Sequence, residues 1–239
     1  PISDEAQALE AQAEDFLERN GHLPEKIARA GAWLYGSVFC PFIEFLTRPN
    51  WLLIILFILL YKFGDAVLTV MKIPFFLELG FSNTEIGTIA KLVGFPPIII
   101  GGLFGGLLLA KIGLMRGLLI SGVLMAASNL VFIVQAWVGY SPEMLAVTIA
   151  IENFTTSMGT VAFVAYLSSL CNIAYTATQY ALLTSFMAFS RTVMTAGSGW
   201  VADQVSWPVF FSLTTLAALP GLLLLIYLMK RLSLPAQPQ

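Results

Sequence analysis

Six apolar segments dominate the chain from residue 51 onward, at roughly 51–73, 84–110, 114–138, 142–170, 176–202 and 207–229. Each reaches the ~20 residues that a helix needs to cross ~30 Å of hydrocarbon. Hydrocarbon offers backbone amides no partner, so these segments must be helices closed on their own hydrogen bonds. Their connections are short, which makes consecutive helices antiparallel neighbours. Composition agrees: 58% of residues are hydrophobic and 11% charged, against ~45–50% and ~25% in an ordinary soluble domain. The chain reads as an all-α membrane protein, with a six-helix bundle over residues 49–231 and a cytoplasmic tail over 232–239.

The charge lies ahead of the bundle. Residues 1–50 hold eight Asp/Glu and four Lys/Arg, whereas residues 51–239 hold six and eight. Residues 1–31 read as a cytoplasmic linker, with an acidic helix capped by Ser3 and stopped at Asn20-Gly21. Residues 32–48 mix aromatics with few charges, but Gly36 and Pro41 break them. They read as an amphipathic helix lying along the membrane interface. The first residue is Pro, not Met, which leads us to expect a longer chain. Lys111, Arg116, Lys230 and Arg231 mark the same side of the bundle as Lys26, Arg29 and Arg48, so both chain ends are expected in the cytoplasm.

Several function classes are excluded at this level. No basic patch points to nucleic acid. Cys40 and Cys171 form no metal or disulfide pattern, and His22, the single histidine, reads as a solvated turn residue. With no nucleophile–histidine pair, no metal cluster and no phosphate-binding glycine loop, we expect neither an enzyme nor a cofactor.

Charges inside the spans carry the functional signal. Lys62 lies roughly 16 Å along the first span, near the midplane, and Lys72 approaches its far end. Lys62, Asp65, Thr69 and Lys72 share one helix face. A charge at the midplane costs about 2.5–3.5 kcal/mol, so this face is not expected to meet lipid. In the fourth span Thr148, Glu152, Thr156 and Gly159 form a second stripe, with Asn153 and Thr160 beside it. Lys91 sits in the second span just before Pro96-Pro97, which must disturb that helix, and Arg191 sits in the fifth. One reading has the charges pair off to hold helices together, Lys62 with Asp65 and Glu152 with Arg191 or Lys91. The other is a cation-lined path for an anionic solute, with one carboxylate taking up a proton.

Glycines speak of packing. In "GGLFGG", Gly101/Gly105 and Gly102/Gly106 stand four apart, the spacing that lets helices approach closely. Gly197 and Gly199 read the same way. Asn129 is either a helix–helix hydrogen bond or a cavity residue.

Two stretches carry a resemblance. "GLLLAKIGLMR" (Gly106–Arg116) is similar to the loop signature Gly-x-x-x-Asp-Arg-x-Gly-Arg-Arg of the major facilitator superfamily. Gly106, Lys111 and Gly113 match in place; Ala110 stands where the Asp should be. "YKFGDA" (61–66) and "IAIENFTTSMGTVAFVAYLSSLCNIAYTATQYALLTSFMAFSR" (149–191), extended by "GWVADQVSWPVFF" and "TLAALPGLLLL", resemble the AmpG family of muropeptide permeases. The resemblance implies the carboxyl-terminal half of a major-facilitator fold, two inverted three-helix repeats, completed by a missing amino-terminal six-helix half. It implies proton-driven import of anhydromuropeptides for cell-wall recycling, across the bacterial inner membrane.

On that reading Lys62, Lys72, Lys91 and Arg191 are expected to contact the anionic solute. Thr69, Asn153, Thr156 and Tyr166 hydrogen-bond its sugar or peptide, and Asp65 and Glu152 carry the proton. The partners are then a muropeptide, protons and the lipid bilayer. The alternatives are transport of another large anion, such as a CoA thioester, and a non-transporting accessory membrane protein.

Overall fold

The structure, a computed structural model, describes residues 40–48, 50–171 and 176–231, with residues 11, 31 and 35 beside them. The expected acidic helix, His22, most of the expected interfacial helix and the tail lie outside the described residues. Those that are described form ten helices: α1 (Cys40–Thr47), α2 (Trp51–Tyr61), α3 (Phe63–Glu78), α4 (Asn83–Leu92), α5 (Phe95–Ile112), α6 (Leu114–Val138), α7 (Pro142–Leu170), α8 (Thr176–Thr195), α9 (Ser198–Gln204) and α10 (Trp207–Arg231).

Five stretches are long and apolar enough to cross a membrane: α2 with α3 (Trp51–Glu78), α5, α6, α7 and α10. The fifth expected span differs. It is split into α8 and the short α9, and α8 dilutes its apolar residues with Thr, Gln, Ser and Arg191. Pro96-Pro97 do not kink a running helix. They open a new one, occupying the first turn of α5 after the break at Val93-Gly94, where a missing N–H costs nothing.

The chain divides into two compact units, Pro1–Ile54 with Leu167–Phe186, and Ile55–Tyr166 with Met187–Gln239. In the first, α1 carries a polar cluster. Arg48 donates to the Glu44 carboxylate through Nε (3.1 Å) and Nη2 (2.8 and 2.7 Å). The same guanidinium reaches the Leu170 carbonyl and lies 3.4 Å from Gln179 Oε1, while the Gln179 amide also donates to Glu44. Leu170 ends α7, so Arg48 satisfies a carbonyl that the helix leaves unpaired and meets the negative end of its dipole.

In the second unit, α10 packs along α6 and α3, and α5 along α6. The closest approaches are made by glycine. A Cβ on Gly64 would stand 2.5 Å from the Thr214 carbonyl oxygen, and one on Gly221 would stand 2.7 Å from that of Leu60. The first span and α10 therefore cross with backbones nearly touching, on either side of Lys62. Gly101 and Gly105 face the α7 backbone at Phe154 and Met158, as the four-residue spacing predicts, whereas Gly106 meets nothing. Gly197 and Gly199 also meet nothing. They mark the break between α8 and α9 instead of a close crossing, because glycine spacing alone does not say that a second helix is there.

An aromatic core fills one end of this unit. Phe75 meets Phe211 edge-on at 4.8 Å, and Phe76 stacks on Phe132 at 5.9 Å. Asn129 is buried and donates to Thr214 Oγ1 at 3.3 Å, so it is a helix–helix hydrogen bond. Just outside the five spans, Ser82 and Glu85 form a reciprocal cap on α4. Phe81 stacks on Tyr140 at 4.5 Å, and the Tyr140 hydroxyl donates to Glu85. That bond, with the two from Ser82, holds the Glu85 carboxyl down at about 2.

Three outcomes follow from this packing. Gly64→Val should lower the thermal midpoint of the purified protein, by about 1–3 kcal/mol of overpacking, while Gly106→Ala leaves it unchanged or slightly raised. Arg48→Ala strands Glu44 and should cost about 3 kcal/mol, most of it regained in the double variant with Glu44→Leu. Tyr140→Phe should lower the thermal midpoint at neutral pH. Because Glu85 is depressed in the folded state, that difference is full above the ordinary glutamate pKa of 4.5 and fades as pH falls to about 2. Melting curves across pH measure it.

Candidate functional site

The two polar stripes meet each other. Lys72 Nζ donates to both oxygens of Glu152, at 2.9 and 3.1 Å. Two turns toward α2, the Thr156 hydroxyl donates to Asp65 Oδ1 at 2.9 Å. One turn further, Lys62 Nζ donates to Thr160 Oγ1 at 2.8 Å, and the Thr160 hydroxyl in turn donates to the Thr156 carbonyl at 2.7 Å. As numbers rise on α3 they fall on α7, so the helices run antiparallel with their polar faces in register. Lys62 also stands 3.5 Å from Asp65 Oδ2, an ion pair within one helix face.

The reading in which the charges pair off holds in part. Lys62 pairs with Asp65, as the packing reading had it. Glu152 pairs with Lys72, not with Arg191 or Lys91. Lys72 therefore reaches into the bundle to meet Glu152, whose charge also interacts with Asp65 and Lys62.

The chain breaks its helix at Lys62, where φ is −102° and ψ is 9°. Gly64 follows directly and brings α10 against the backbone. The break turns Lys62 onto the wall of a cavity of about 480 Å³ between the first span and the Arg191 end of α8. Lys62, Asp65 and Thr69 line one side; Arg191, Thr192 and Thr195 line the other, with Ile58, Phe63, Met187 and Met194 between them. Two cations against one carboxylate give the wall a formal excess of positive charge. Arg191 is exposed, and no described residue pairs with it.

The remaining expected site residues lie elsewhere. The Asn153 amide donates to the Gly94 carbonyl at 3.0 Å and so holds the break between α4 and α5. Tyr166 is buried, edge-on to Phe57 at 5.1 Å, in a cluster with Tyr61 and Phe163. Lys91 is exposed in the last turn of α4 and lines no part of this cavity. Thr156 spends its hydroxyl on Asp65 and positions that carboxylate. Sequence reasoning passed over Met187, Thr192 and Thr195. Their signal was present, since Met187, Arg191 and Thr195 stand four apart and so share a helix face. Among the described residues, no group of His, Cys, Asp and Glu is placed to hold a metal ion.

Comparison with known proteins accords with this architecture. Residues 53–238 match the Major Facilitator Superfamily. The chain is 38% identical over 205 residues to the protein named AmpG 4 of Rickettsia felis, covering 84% of this chain and 49% of that one. It is 42% identical over 165 residues to AmpG 3 of Rickettsia prowazekii, covering 69% and 39%. To the anhydromuropeptide permease of Escherichia coli K12 it is 37% identical over 191 residues, covering 80% and 39%. The chain thus spans about half, or less, of the length of these relatives. The family match takes in well over half of the chain, and its helices are those of a multi-pass membrane protein. The chain belongs to the Major Facilitator Superfamily.

Proposed function

We propose that this chain is the carboxyl-terminal half of a proton-coupled secondary transporter that imports anhydromuropeptides across the bacterial inner membrane. The observation that carries this is the cavity between the first span and α8, lined by both Lys62 and Arg191 together with apolar side chains. A muropeptide offers carboxylates to the cations and hydroxyl and amide groups to Thr69, Thr192 and Thr195, while its C–H faces can lie against Ile58, Phe63, Met187 and Met194. The likeness to a protein named anhydromuropeptide permease supports the choice of solute. Relatives about twice as long support a second half, which closes the cavity from the other side.

In this reading both chain ends are cytoplasmic, and the two halves rock about the fixed cavity to alternate its access. Lys62 and Arg191 hold the anionic group, and Thr69 is a hydrogen-bonding partner on the wall. Asp65, on the cavity wall, and Glu152, behind it on α7, are the carboxylates that would carry the proton.

The test is uptake of labelled anhydromuropeptide by cells expressing the full-length protein. Lys62→Gln and Arg191→Gln should each raise the apparent KM about tenfold to hundredfold, the worth of one charge-assisted hydrogen bond at ~1.5–3 kcal/mol. An unchanged KM in both overturns the anion site. Uptake that persists and stays protonophore-sensitive in Asp65→Asn with Glu152→Gln overturns the carboxylate assignment.

A further inference from the structure

The two lysine–carboxylate pairs of the α3–α7 wall are built differently. Lys72 and Glu152 are joined by two hydrogen bonds, and the Glu152 side chain is 4% exposed. Neither residue lines the cavity. Lys62 and Asp65 both line it, and they stand 3.5 Å apart. Each already has another partner on α7: Lys62 donates to Thr160, and Asp65 accepts from Thr156. One pair is a tight strut away from the cavity. The other is a loose contact on the cavity wall, between two groups that α7 holds separately.

We propose that Lys62–Asp65 is the point at which solute and proton are taken up together: an anionic group of the solute takes Lys62 away from Asp65, and Asp65 takes up one proton. This rests on the transport reading above and names the carboxylate that does the coupling. An Asp65 that loses Lys62 keeps the hydrogen bond from the neutral Thr156 but not the cation at 3.5 Å, and an ionised carboxylate that gives up its cation in a medium of low dielectric is costly; a proton on Asp65 removes that charge. The proton comes from bulk solution and goes to a carboxylate oxygen of Asp65; no bond other than this O–H is made.

The groups facing Asp65 allow this role. Lys62 is on its own face, and Arg191 lines the same cavity from α8. From α7 it meets only the neutral Thr156, with Glu152 one turn further along and already held by Lys72. The Tyr61 hydroxyl is occupied by the Leu118 carbonyl at 2.9 Å. From α10, Gly64 is met by the Thr214 backbone and Ala218, which carry no charge. A protonated Asp65 keeps its bond from Thr156, so the wall need not rearrange when its charge changes.

The experiment is a binding titration of the purified full-length protein with anhydromuropeptide between pH 5.5 and 8. This window lies above the ordinary titration of the solute's own carboxylates. Coupled uptake of one proton makes binding weaken as pH rises, by about tenfold per pH unit where Asp65 is ionised. A pH-sensitive dye should report about one proton taken up per solute bound. Asp65→Asn should bind with no pH dependence and take up no proton, whereas Glu152→Gln should keep both signals despite the loss of the strut. Wild-type binding that is flat with pH overturns the proposal, as does a Glu152→Gln protein that loses proton uptake while Asp65→Asn keeps it. Should Asp65→Asn fail to fold, the wild-type slope and the Glu152→Gln stoichiometry decide alone. Absence of muropeptide binding by wild type at every pH overturns the solute assignment itself, an outcome distinct from binding without a pH slope.

Discussion

The pairing of Lys72 with Glu152 sets the register of α3 against α7, and the polar wall follows from it. Neither charge has another described partner, and each unpaired charge in hydrocarbon costs several kcal/mol. Sliding one helix by a turn, about 5.4 Å, would strand both. With that pair made, Asp65 comes opposite Thr156 and Lys62 opposite Thr160. The contacts step by seven and then three residues along α3 and by four and four along α7, so the long Lys72 side chain spans the difference. A register chosen by apolar packing alone would be softer, since lipid tails compete equally well for Leu and Ile.

Close packing without a hydrophobic drive then falls to the glycines. Gly64 and Gly221 let α10 lie against the first span on either side of Lys62, and Gly101 and Gly105 do the same for α5 against α7. The aromatic core takes a different part. Phe75, Phe76, Phe132 and Phe211 interlock by edge and face at one end of the unit, at the end of the α3–α7 wall where Lys72 meets Glu152. The Lys62 break lies within the glycine crossing: the helix stops and restarts there, and the lysine lines the cavity.

The cavity that results is neither a greasy slot nor a water-filled channel. Its cations come from different elements, Lys62 from the break in the first span and Arg191 from α8, with Met and Ile between them. Thr156 and Thr160 act behind the wall. They hold Asp65 and Lys62 in place without entering the space, which keeps both groups oriented when their mutual contact is released. Division of labour between a tight pair and a loose one allows the wall to keep its shape while its charge changes.

Much of this was legible in the residues. Apolar length made the helices, because a chain in lipid has no other way to satisfy its backbone. The 3-4-3 spacing of Lys62, Asp65, Thr69 and Lys72 placed them on one face, and the stripe around Glu152 and Thr156 gave them something to face. Pro96-Pro97 and the Gly101/Gly105 spacing announced a helix break and a close crossing. Partners were beyond reach. Periodicity says which side chains share a face, not how far one helix is shifted along another, so Glu152 was matched to the wrong cations. Nor does it show what a polar group already touches: Asn153 serves a backbone carbonyl, Tyr166 lies among aromatic rings, and Gly197 and Gly199 close on nothing. The Glu44–Gln179 contact joins residues 135 positions apart. Local composition along the chain determined that this protein is a helical bundle with charges it must shelter; only the offset and rotation of whole helices, set by contacts between distant residues, decided which charges shelter each other and which are left facing the cavity.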